Sequence, residues 1–498
     1  MLLIGYDIGS SSVKACLLDA ESGNVLASAQ SPTTEMSISA PEPDWAEQDP
    51  LRWWEHLKNA TAQLRTQTQV DFKGIKAIGI SYQMHGLVIT DSKQQVLRPA
   101  IIWCDSRAVS IGNQALHDLG REKILSQLLN APGNFTASKL RWVLENEPEL
   151  FQKIYKAMLP GDYIAMKLSG TINTTASGLS EGIFWNFQEE KIADFLLDYY
   201  QIPIDKLPEM VPTFGLQSKI LPDIASELGL SNEVFITYRA GDQPNNAFSL
   251  NVLNPGEVAA TAGTSGVIYG ITEQKKYDEL SRVNTFLHVN HQPEKPRYGV
   301  LLCINGTGIL NNWLRQNIMS ENHPANIYQH MNDLASKSPV GASGLSVLPF
   351  GNGAERVLQN RQLNASFHGL NFSVHTRSHL LRAAQEGIVY ALKYGLDAMQ
   401  TLGVEPVTVR AGKTNMFMSD LFAEAFANVT HTEVRLYNTD GAAGAARAAG
   451  IGIGLYKNFQ EAFGNLKVEK IIEPDKNLTQ VYQDAYQRWF EILQKSLA

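Results

Sequence analysis

Residues 1–20 of the chain read MLLIGYDIGSSSVKACLLDA, and this stretch decides how the rest of the sequence is interpreted. Apolar residues run up to Asp7 and resume before and after Lys14, which predicts two buried strands joined by a tight turn. Backbone N–H groups and hydroxyls that converge at such a turn suit a phosphate, and a carboxylate at the strand end suits Mg²⁺. The alternative is an ordinary hairpin with a capping aspartate, and this stretch alone leaves both interpretations open. The turn contains Gly9, Ser10, Ser11 and Ser12.

A second strand–turn–strand pattern occurs at residues 257–273, which read EVAATAGTSGVIYGITE. Its turn again combines glycine with hydroxyl side chains, here Gly263, Thr264 and Ser265. Two such turns can clamp one polyphosphate, so the pair favours phosphate binding more strongly than either turn does alone. The repetition predicts two α/β domains that arose by duplication, with a cleft between them.

The bulk composition narrows the class of protein. With 498 residues, of which 44% are hydrophobic and 18% charged, the chain is typical of a globular enzyme with two large domains or three smaller ones. Its formal net charge of −8 argues against a nucleic-acid-binding protein. No run approaches the ~18 apolar residues of a membrane span, and no basic segment typical of a signal peptide opens the sequence. Scattered, unpaired cysteines indicate reduced thiols and a cytoplasmic protein: Cys16, Cys104 and Cys303.

Two further motifs follow predicted strands. Asp242 lies in AGDQPNNA (residues 240–247), where its carboxylate can accept a proton from a substrate hydroxyl. The alternative is a helix N-cap, and the local sequence alone favours that alternative. The run Ser81-Tyr82-Gln83-Met84-His85-Gly86 follows the predicted strand 74–82, and its Gln83 and His85 side chains can hydrogen-bond a polyol. A single histidine after a strand is nevertheless more often structural. Helical patterns dominate roughly the last 40 residues.

These motifs, taken in order, resemble those of the FGGY family of carbohydrate kinases over essentially the whole chain. DIGSSSVK is similar to the family's first phosphate loop, GTSG to its second, and GDQPNNA to the segment with its catalytic aspartate. Residues 135–146 are similar to the first family signature and residues 367–387 to the second, in which Gln385 stands where an apolar residue is usual. The adenosine loop departs from the usual Gly-Gly-Gly-Ala-x-Ser, since residues 410–415 read RAGKTN.

The resemblance implies a duplicated ribonuclease-H-like fold of the actin and hexokinase type, with domains at 1–246 and 247–498 and ATP and sugar in the interdomain cleft. It implies transfer of the ATP γ-phosphoryl group to a ketopentose, in a protein that works as a homodimer. The run Gln83 to Gly86, followed by Ile102-Trp103-x-Asp105-x-Arg107, favours D-xylulose as the sugar. Kinases of L-ribulose, L-fuculose or gluconate stay open as alternatives, as does a non-catalytic nucleotide-binding sensor.

The resemblance also implies roles for individual residues. Asp242 is the expected general base, and Asp7 is expected to hold Mg²⁺ together with Asp242, directly or through water. The expected sugar-binding residues are Gln83, Met84, His85, Trp103, Asp105, Arg107 and Asp242. The expected ATP-binding residues are Gly9, Ser10, Ser11, Ser12, Lys14, Gly263, Thr264, Ala411, Gly412 and Asn415.

Overall fold

The computed structural model describes residues 1–319 and 326–498. The chain forms two compact units, each assembled from three segments. The first unit comprises Met1–Asn251, Phe286–Arg297 and Thr439–Leu466. The second unit comprises Val252–Thr285, Tyr298–Asn438 and Lys467–Ala498.

The strands of residues 1–251 are β1 (Leu2–Ile8), β2 (Val13–Asp19), β3 (Val25–Ser31), β4 (Glu47–Gln48), β5 (Ile75–Tyr82), β6 (Val88–Thr90), β7 (Ala100–Ile101), β8 (Lys156–Met158), β9 (Asn173–Thr175), β10 (Trp185–Asn186), β11 (Lys191–Ile192), β12 (Glu209–Val211), β13 (Phe214–Lys219) and β14 (Phe235–Gly241). The later strands are β15 (Glu257–Ala262), β16 (Gly266–Thr272), β17 (Asn284–Leu287), β18 (Tyr298–Ile304), β19 (Ser346–Leu348), β20 (Ala354–Glu355), β21 (Arg361–Gln362), β22 (Ser366–His368), β23 (Thr408–Gly412), β24 (Glu433–Tyr437) and β25 (Val468–Ile472).

The helices are α1 (Pro50–Gln67), α2 (Val109–Asp118), α3 (Arg121–Leu128), α4 (Thr136–Asn146), α5 (Pro148–Lys153), α6 (Pro160–Ser169), α7 (Ala176–Glu181), α8 (Asp194–Tyr200), α9 (Pro222–Leu228), α10 (Asp242–Ser249), α11 (Gly308–Asn317), α12 (Ile327–Ala335), α13 (Arg377–Gln400), α14 (Asp420–Thr430), α15 (Gly441–Gly452), α16 (Phe459–Phe463) and α17 (Thr479–Leu497). None of the helices in the described ranges is long and apolar enough to cross a membrane.

The first unit is built on a six-stranded sheet in the order β13-β14-β5-β1-β2-β3. The strands β1, β2 and β3 form an antiparallel meander, whereas β5 is parallel to β1 and β14 is parallel to β5. The predicted turn between β1 and β2 is present, and the strands on both of its sides are largely buried. The parallel strands β1, β5 and β14 end at the same edge of the sheet, which brings the polar residues that follow each of them together.

The second unit repeats this plan. Its sheet has the order β17-β18-β16-β15-β23-β24-β25. The strands β15, β16 and β18 form the antiparallel meander, and β23 and β24 are the parallel strands that follow. Because both sheets place three antiparallel strands beside two parallel ones in the same order, the predicted duplicated ribonuclease-H-like fold is confirmed. The prediction that the C-terminal stretch is helical is wrong at β25, which pairs with β24 as an edge strand.

Helix α15 belongs to the first unit although it lies almost 200 residues beyond that unit's main segment. It packs on β1 and β5, where a glycine in each strand allows the close approach. A Cβ atom on Gly5 would lie 2.0 Å from the carbonyl oxygen of Ala442, and one on Gly79 would lie 2.0 Å from that of Ala445. The alanine and glycine residues of α15 match this requirement on the helix side.

We predict that Gly79→Ala destabilises the protein, because its Cβ would collide with helix backbone that cannot rotate away. Overpacking of this kind costs about 1–3 kcal/mol of unfolding free energy. Gly74→Ala is the matched control, since its Cβ would meet only Leu2 Cδ1 at 3.4 Å. Urea unfolding followed by circular dichroism measures both variants. Equal midpoints for the two would contradict the close packing of α15 on β5.

Candidate active site

Asp7 lies near the carboxyl end of β1, directly opposite Ser81 on β5. The Ser81 hydroxyl donates a hydrogen bond of 2.8 Å to Asp7 Oδ1. Loss of contact with water raises the pKa of the Asp7 carboxyl, while Lys14 and the Ser81 hydroxyl oppose that rise. The nearby charge of Asp440 raises the pKa further. The ionised form of Asp7 is therefore energetically unfavourable in this environment, as is typical of carboxylates that bind ligands or take part in catalysis.

The N-terminus of α15 approaches the same carboxylate. Asp440 caps this helix by accepting a hydrogen bond of 2.9 Å from the backbone N–H of Ala443. A Cβ atom on Gly441 would lie only 2.6 Å from Asp7 Oδ2, so this position tolerates no side chain without displacing Asp7. The partial positive charge of a helix N-terminus favours a carboxylate beside it. The helix thereby offsets part of the cost of keeping Asp7 ionised.

Asp242 is the first residue of α10, immediately after β14. The residue at the N-cap position is Gly241, so the N-cap alternative does not describe Asp242. Burial, followed by the charge of Asp7, raises the pKa of Asp242 to about 7. Helix α10 is tied to α15 by Asn245, whose side chain donates a hydrogen bond of 2.9 Å to the Gly441 carbonyl. The structure thus brings the two predicted catalytic carboxylates into the same electrostatic environment.

Two carboxylates close enough for the charge of Asp7 to raise the pKa of Asp242 are a donor set that suits Mg²⁺. Within residues 1–319 and 326–498, no group of three or more histidine, cysteine, aspartate or glutamate side chains is arranged to hold a metal ion. The remaining ligands of an ion at Asp7 and Asp242 would therefore be water and phosphate oxygens, which Mg²⁺ usually retains. The carboxylates of Asp7 and Asp242 are therefore chemically suited to hold Mg²⁺.

The first phosphate loop is a closed turn, in which the Gly9 N–H donates to the Ser12 carbonyl at 3.0 Å. Its tip is held from outside, because Trp103 Nε1 donates to the Ser10 hydroxyl at 3.3 Å. Ser11 is exposed, whereas Ser12 is 9% exposed and faces inward. Lys14 sits opposite Asp7 on β2. The turn therefore presents Gly9, Ser10 and Ser11 to a ligand more readily than Ser12.

His85 is held from three directions. Its backbone has a φ of 62°, and its Nδ1–H donates a hydrogen bond of 2.8 Å to the Glu181 carbonyl. The ring of Phe135 packs edge-on against the imidazole, with 4.7 Å between the ring centroids. Lys139 Nζ donates to the carbonyls of His85 and Ile102 at 2.9 and 2.8 Å. Burial lowers the pKa of Lys139 to about 7. Two residues of the first signature, Phe135 and Lys139, thus fix the predicted sugar-binding histidine.

Glu181 is a site residue that the sequence did not reveal, since no motif surrounds it. Its side chain is buried against the backbone that precedes Asp242: a Cβ atom on Gly241 would lie 2.1 Å from Glu181 Oε2 and 2.6 Å from Met84 Cγ. Burial, and then the charge of Asp242, raises the pKa of Glu181 well above its usual value. The Gln83 amide is also buried, and neither of its polar atoms has a protein hydrogen-bond partner. A bound hydroxyl compound or water can satisfy it.

The three remaining residues predicted to bind the sugar differ in exposure and in their contacts. Trp103 is 46% exposed, whereas Asp105 and Arg107 form a buried ion pair with 2.7 Å between Oδ2 and Nη2. Arg107 also pairs with Glu47 at 2.8 Å and stacks on the Trp45 ring at 3.7 Å. Because their charged atoms already have protein partners, Asp105 and Arg107 shape the loop that presents Trp103. Their direct contact with a sugar stays a prediction.

A cavity of about 650 Å³ lies within the second unit. Three of the predicted ATP-binding residues line it, namely Gly263, Thr264 and Asn415. The loop that carries the first two is fixed to α11, because the N–H groups of Gly308 and Ile309 donate to the carbonyls of Gly263 and Thr264 at 2.9 and 3.2 Å. Two others do not line it: Ala411 is fully buried in β23, and Gly412 ends that strand.

The sequence matches known family models over most of its length. The model for the N-terminal domain of the FGGY family of carbohydrate kinases matches residues 2–249, and the model for the C-terminal domain matches residues 258–453. The xylulose kinase of Escherichia coli (strain K12) is 29% identical over 502 residues, covering 100% of this chain and 99% of that protein. A xylulose kinase of Staphylococcus epidermidis is 30% identical over 494 residues, covering 97% and 95% of the two chains.

Solved structures share the fold. The xylulose kinase from Rhodospirillum rubrum matches with a TM-score of 0.88 and 26% identity, covering 99% of both chains. The gluconate kinase from Lactobacillus acidophilus also has a TM-score of 0.88, with 24% identity and coverage of 100% of this chain and 98% of that one.

We predict that Gly441→Ala weakens Mg²⁺ binding, because the new Cβ would collide with Asp7 Oδ2 and displace the carboxylate. Changes to groups that orient a metal ligand typically cost about 10–100-fold in affinity. Isothermal titration calorimetry with Mg²⁺ in the presence of ATP measures the effect. Gly464→Ala is the control, since its Cβ would meet no atom closer than 3.5 Å. If both variants bind Mg²⁺ like the unmodified protein, the position of Asp7 does not determine metal binding.

Proposed function

The chain belongs to the FGGY family of carbohydrate kinases, and from this premise we propose that it transfers the γ-phosphoryl group of ATP to the terminal hydroxyl of a ketopentose, D-xylulose. The observation that carries the proposal is the electrostatic pairing of Asp7 with Asp242 in the first unit. The loop of Gln83, Met84 and His85 lies next to both carboxylates: the Gln83 N–H donates to the carbonyl of Ile8, which follows Asp7, and Met84 packs at Gly241, which precedes Asp242. The xylulose kinases of two bacteria, which align with nearly the whole chain, support D-xylulose as the sugar.

Asp242 acts as the general base in this proposal. Burial beside Asp7 raises the pKa of the Asp242 carboxyl, which increases its affinity for the proton of the sugar hydroxyl. As the hydroxyl oxygen bonds to the γ-phosphorus, the bond from phosphorus to the β-phosphate oxygen breaks, and ADP leaves. Phosphoryl transfer needs little covalent help from the protein, so alignment and neutralised charge are the main contributions of the site.

The sugar is positioned by groups whose own orientation is already fixed. The His85 ring cannot rotate without breaking its hydrogen bond to the Glu181 carbonyl. The buried Gln83 amide has a donor and an acceptor with no protein partner, and both can bind sugar hydroxyls. Met84 packs beside Gly241 and so connects this loop to Asp242. Fixed groups of this kind lower the entropic cost of holding the hydroxyl in line with the phosphate.

We propose that Mg²⁺ is held by Asp7 and Asp242 and that, when bound, it neutralises charge that develops on the phosphate oxygens. Phosphate contacts are proposed for Gly9, Ser10, Ser11 and Lys14 in the first unit. In the second unit they are proposed for Gly263 and Thr264, with the adenosine in the cavity beside Asn415. The reduced cysteines and the family resemblance support a cytoplasmic enzyme, and the resemblance alone supports a homodimer.

A second candidate activity is phosphorylation of another sugar or sugar acid. The fold similarity to a gluconate kinase, with a TM-score of 0.88, favours keeping it. Coupled assays of ADP release with D-xylulose, L-ribulose, L-fuculose and gluconate, each with and without Mg²⁺, separate the two. We expect the highest kcat/KM with D-xylulose and no turnover without Mg²⁺. A higher value with another compound would replace the substrate, and ATP binding without any sugar-stimulated ADP release would favour the sensor.

We predict that Asp242→Asn lowers kcat by about 10²–10⁴-fold, because an amide cannot accept the hydroxyl proton. Binding of metal-free ATP, measured by calorimetry, should change little, because Asp242 is proposed to contact the metal ion and the sugar hydroxyl and not the nucleotide. Asp223→Asn is the matched control, because Asp223 also lies in the first turn of a helix, α9, but is exposed. An Asp242→Asn variant that keeps most of its kcat would show that another group removes the proton.

A further inference from the structure

Gln385 is a polar residue at a buried position of a helix. It lies on α13, within an unbroken run of buried residues from Leu381 to Leu392, and is only 2% exposed. A buried carboxamide destabilises a fold unless its oxygen and its nitrogen both find hydrogen-bond partners. Gln385 finds both partners on the two neighbouring helices, at Ser419 and Asn332. An apolar residue at this position could not connect these two side chains.

A directed chain of hydrogen bonds runs through Gln385. The backbone N–H of Phe422 donates to the Ser419 hydroxyl at 3.3 Å, because Ser419 caps helix α14. The Ser419 hydroxyl donates in turn to Gln385 Oε1 at 2.8 Å. Gln385 Nε2 then donates to Asn332 Oδ1 on α12 at 2.9 Å. Because the glutamine oxygen receives the serine proton, the glutamine nitrogen is the atom that faces Asn332.

The two ends of this chain, Ser419 and Asn332, both line the cavity of the second unit. With its oxygen turned toward Gln385, Asn332 has its amide nitrogen on the other side. An asparagine amide can rotate to present either an acceptor or a donor, and the two look alike in shape. Gln385 removes this ambiguity, since a rotated Asn332 would place two N–H groups against each other.

We propose that Gln385 is a positioning residue that fixes Asn332 as a hydrogen-bond donor to the base of the bound nucleotide. The inference rests on the proposed function, in which this cavity takes the adenosine of ATP. Adenine carries hydrogen-bond acceptors at its ring nitrogens N1, N3 and N7, and a fixed donor in the cavity reads one of them. The cavity therefore orients the base of its nucleotide partly through a residue that does not touch it.

The residues around the proposed donor support this assignment. Other cavity-lining side chains are neutral, among them Asn312, Gln329, Asn415 and Met416. A neutral, amide-rich lining suits an uncharged heterocycle and does not suit a phosphate, which needs cations or converging backbone N–H groups. The loop with Gly263 and Thr264 lies at the same cavity and supplies the latter kind of group.

The test measures the Kd of ATP by calorimetry for Gln385→Met, Asn332→Ala and the double variant. Loss of one neutral hydrogen bond predicts a rise in Kd of about 3–10-fold for each single variant. The double variant should bind ATP no more weakly than Asn332→Ala, because Gln385 acts through Asn332. If the two effects multiply, Gln385 stabilises the unit independently and the proposal fails. Gln400→Met, an exposed change on the same helix, is the control.

Three analogues of ATP test the direction of the hydrogen bond: 1-deaza-, 3-deaza- and 7-deaza-ATP, each of which lacks one ring acceptor. The unmodified protein should bind one of them about 10-fold more weakly than ATP, and Asn332→Ala should bind that analogue and ATP equally. Equal affinity of the unmodified protein for all four nucleotides overturns the proposal. These measurements need no turnover, so a protein that binds ATP but phosphorylates no sugar would refute the proposed function and still decide this inference.

Discussion

The placement of one carboxylate, that of Asp7, constrains most of the first unit. Asp7 lies near the end of a strand that is buried on both faces, where an ionised group is costly without partners. The Ser81 hydroxyl on β5 donates a hydrogen bond to it, and the N-terminus of α15 can lie beside it only because Gly441 has no side chain. The glycines of β1 and β5 and the alanine-rich composition of α15 then follow, since a helix that serves Asp7 must lie close to the sheet.

The sequence predicts those parts of the molecule that are encoded by neighbouring residues. Three such features are present in the structure: both strand–turn–strand patterns, the strand before Gln83 and the position of Asp242 after a strand. The inclusion of residues 439–466 in the first unit depends on packing between distant segments, which composition does not reveal. The sequence does not predict strand β25 for a related reason, because a short, mostly exposed edge strand has too weak a pattern to distinguish it from a helix. The division of the chain at residues 246 and 247 stays a prediction.

The same limit applies to the candidate site. Asp7, Asp242 and His85 stand in motifs and could be predicted, whereas Glu181 reaches the site through its backbone carbonyl and through van der Waals contact with Gly241. Neither contact requires a particular neighbour in the sequence. Phe135 and Lys139 show the opposite case: their motif is visible in the sequence, but only the structure shows that they hold His85.

The two units solve different chemical problems with different side chains. In the first unit, burial raises the pKa values of Asp7, Asp242 and Glu181; the charge of Asp7 adds to the rise at Asp242, and the charge of Asp242 adds to the rise at Glu181. A cation or a proton therefore stabilises this site. The proposed phosphoryl transfer would supply both, because a metal ion accompanies the phosphates and the sugar hydroxyl releases a proton. In the second unit the cavity is lined by amides and methionines, whose hydrogen-bonding atoms must be oriented by other residues to be selective. In the proposed reaction, the charged groups lie where bonds change, and the neutral groups with fixed orientation lie where the base would bind.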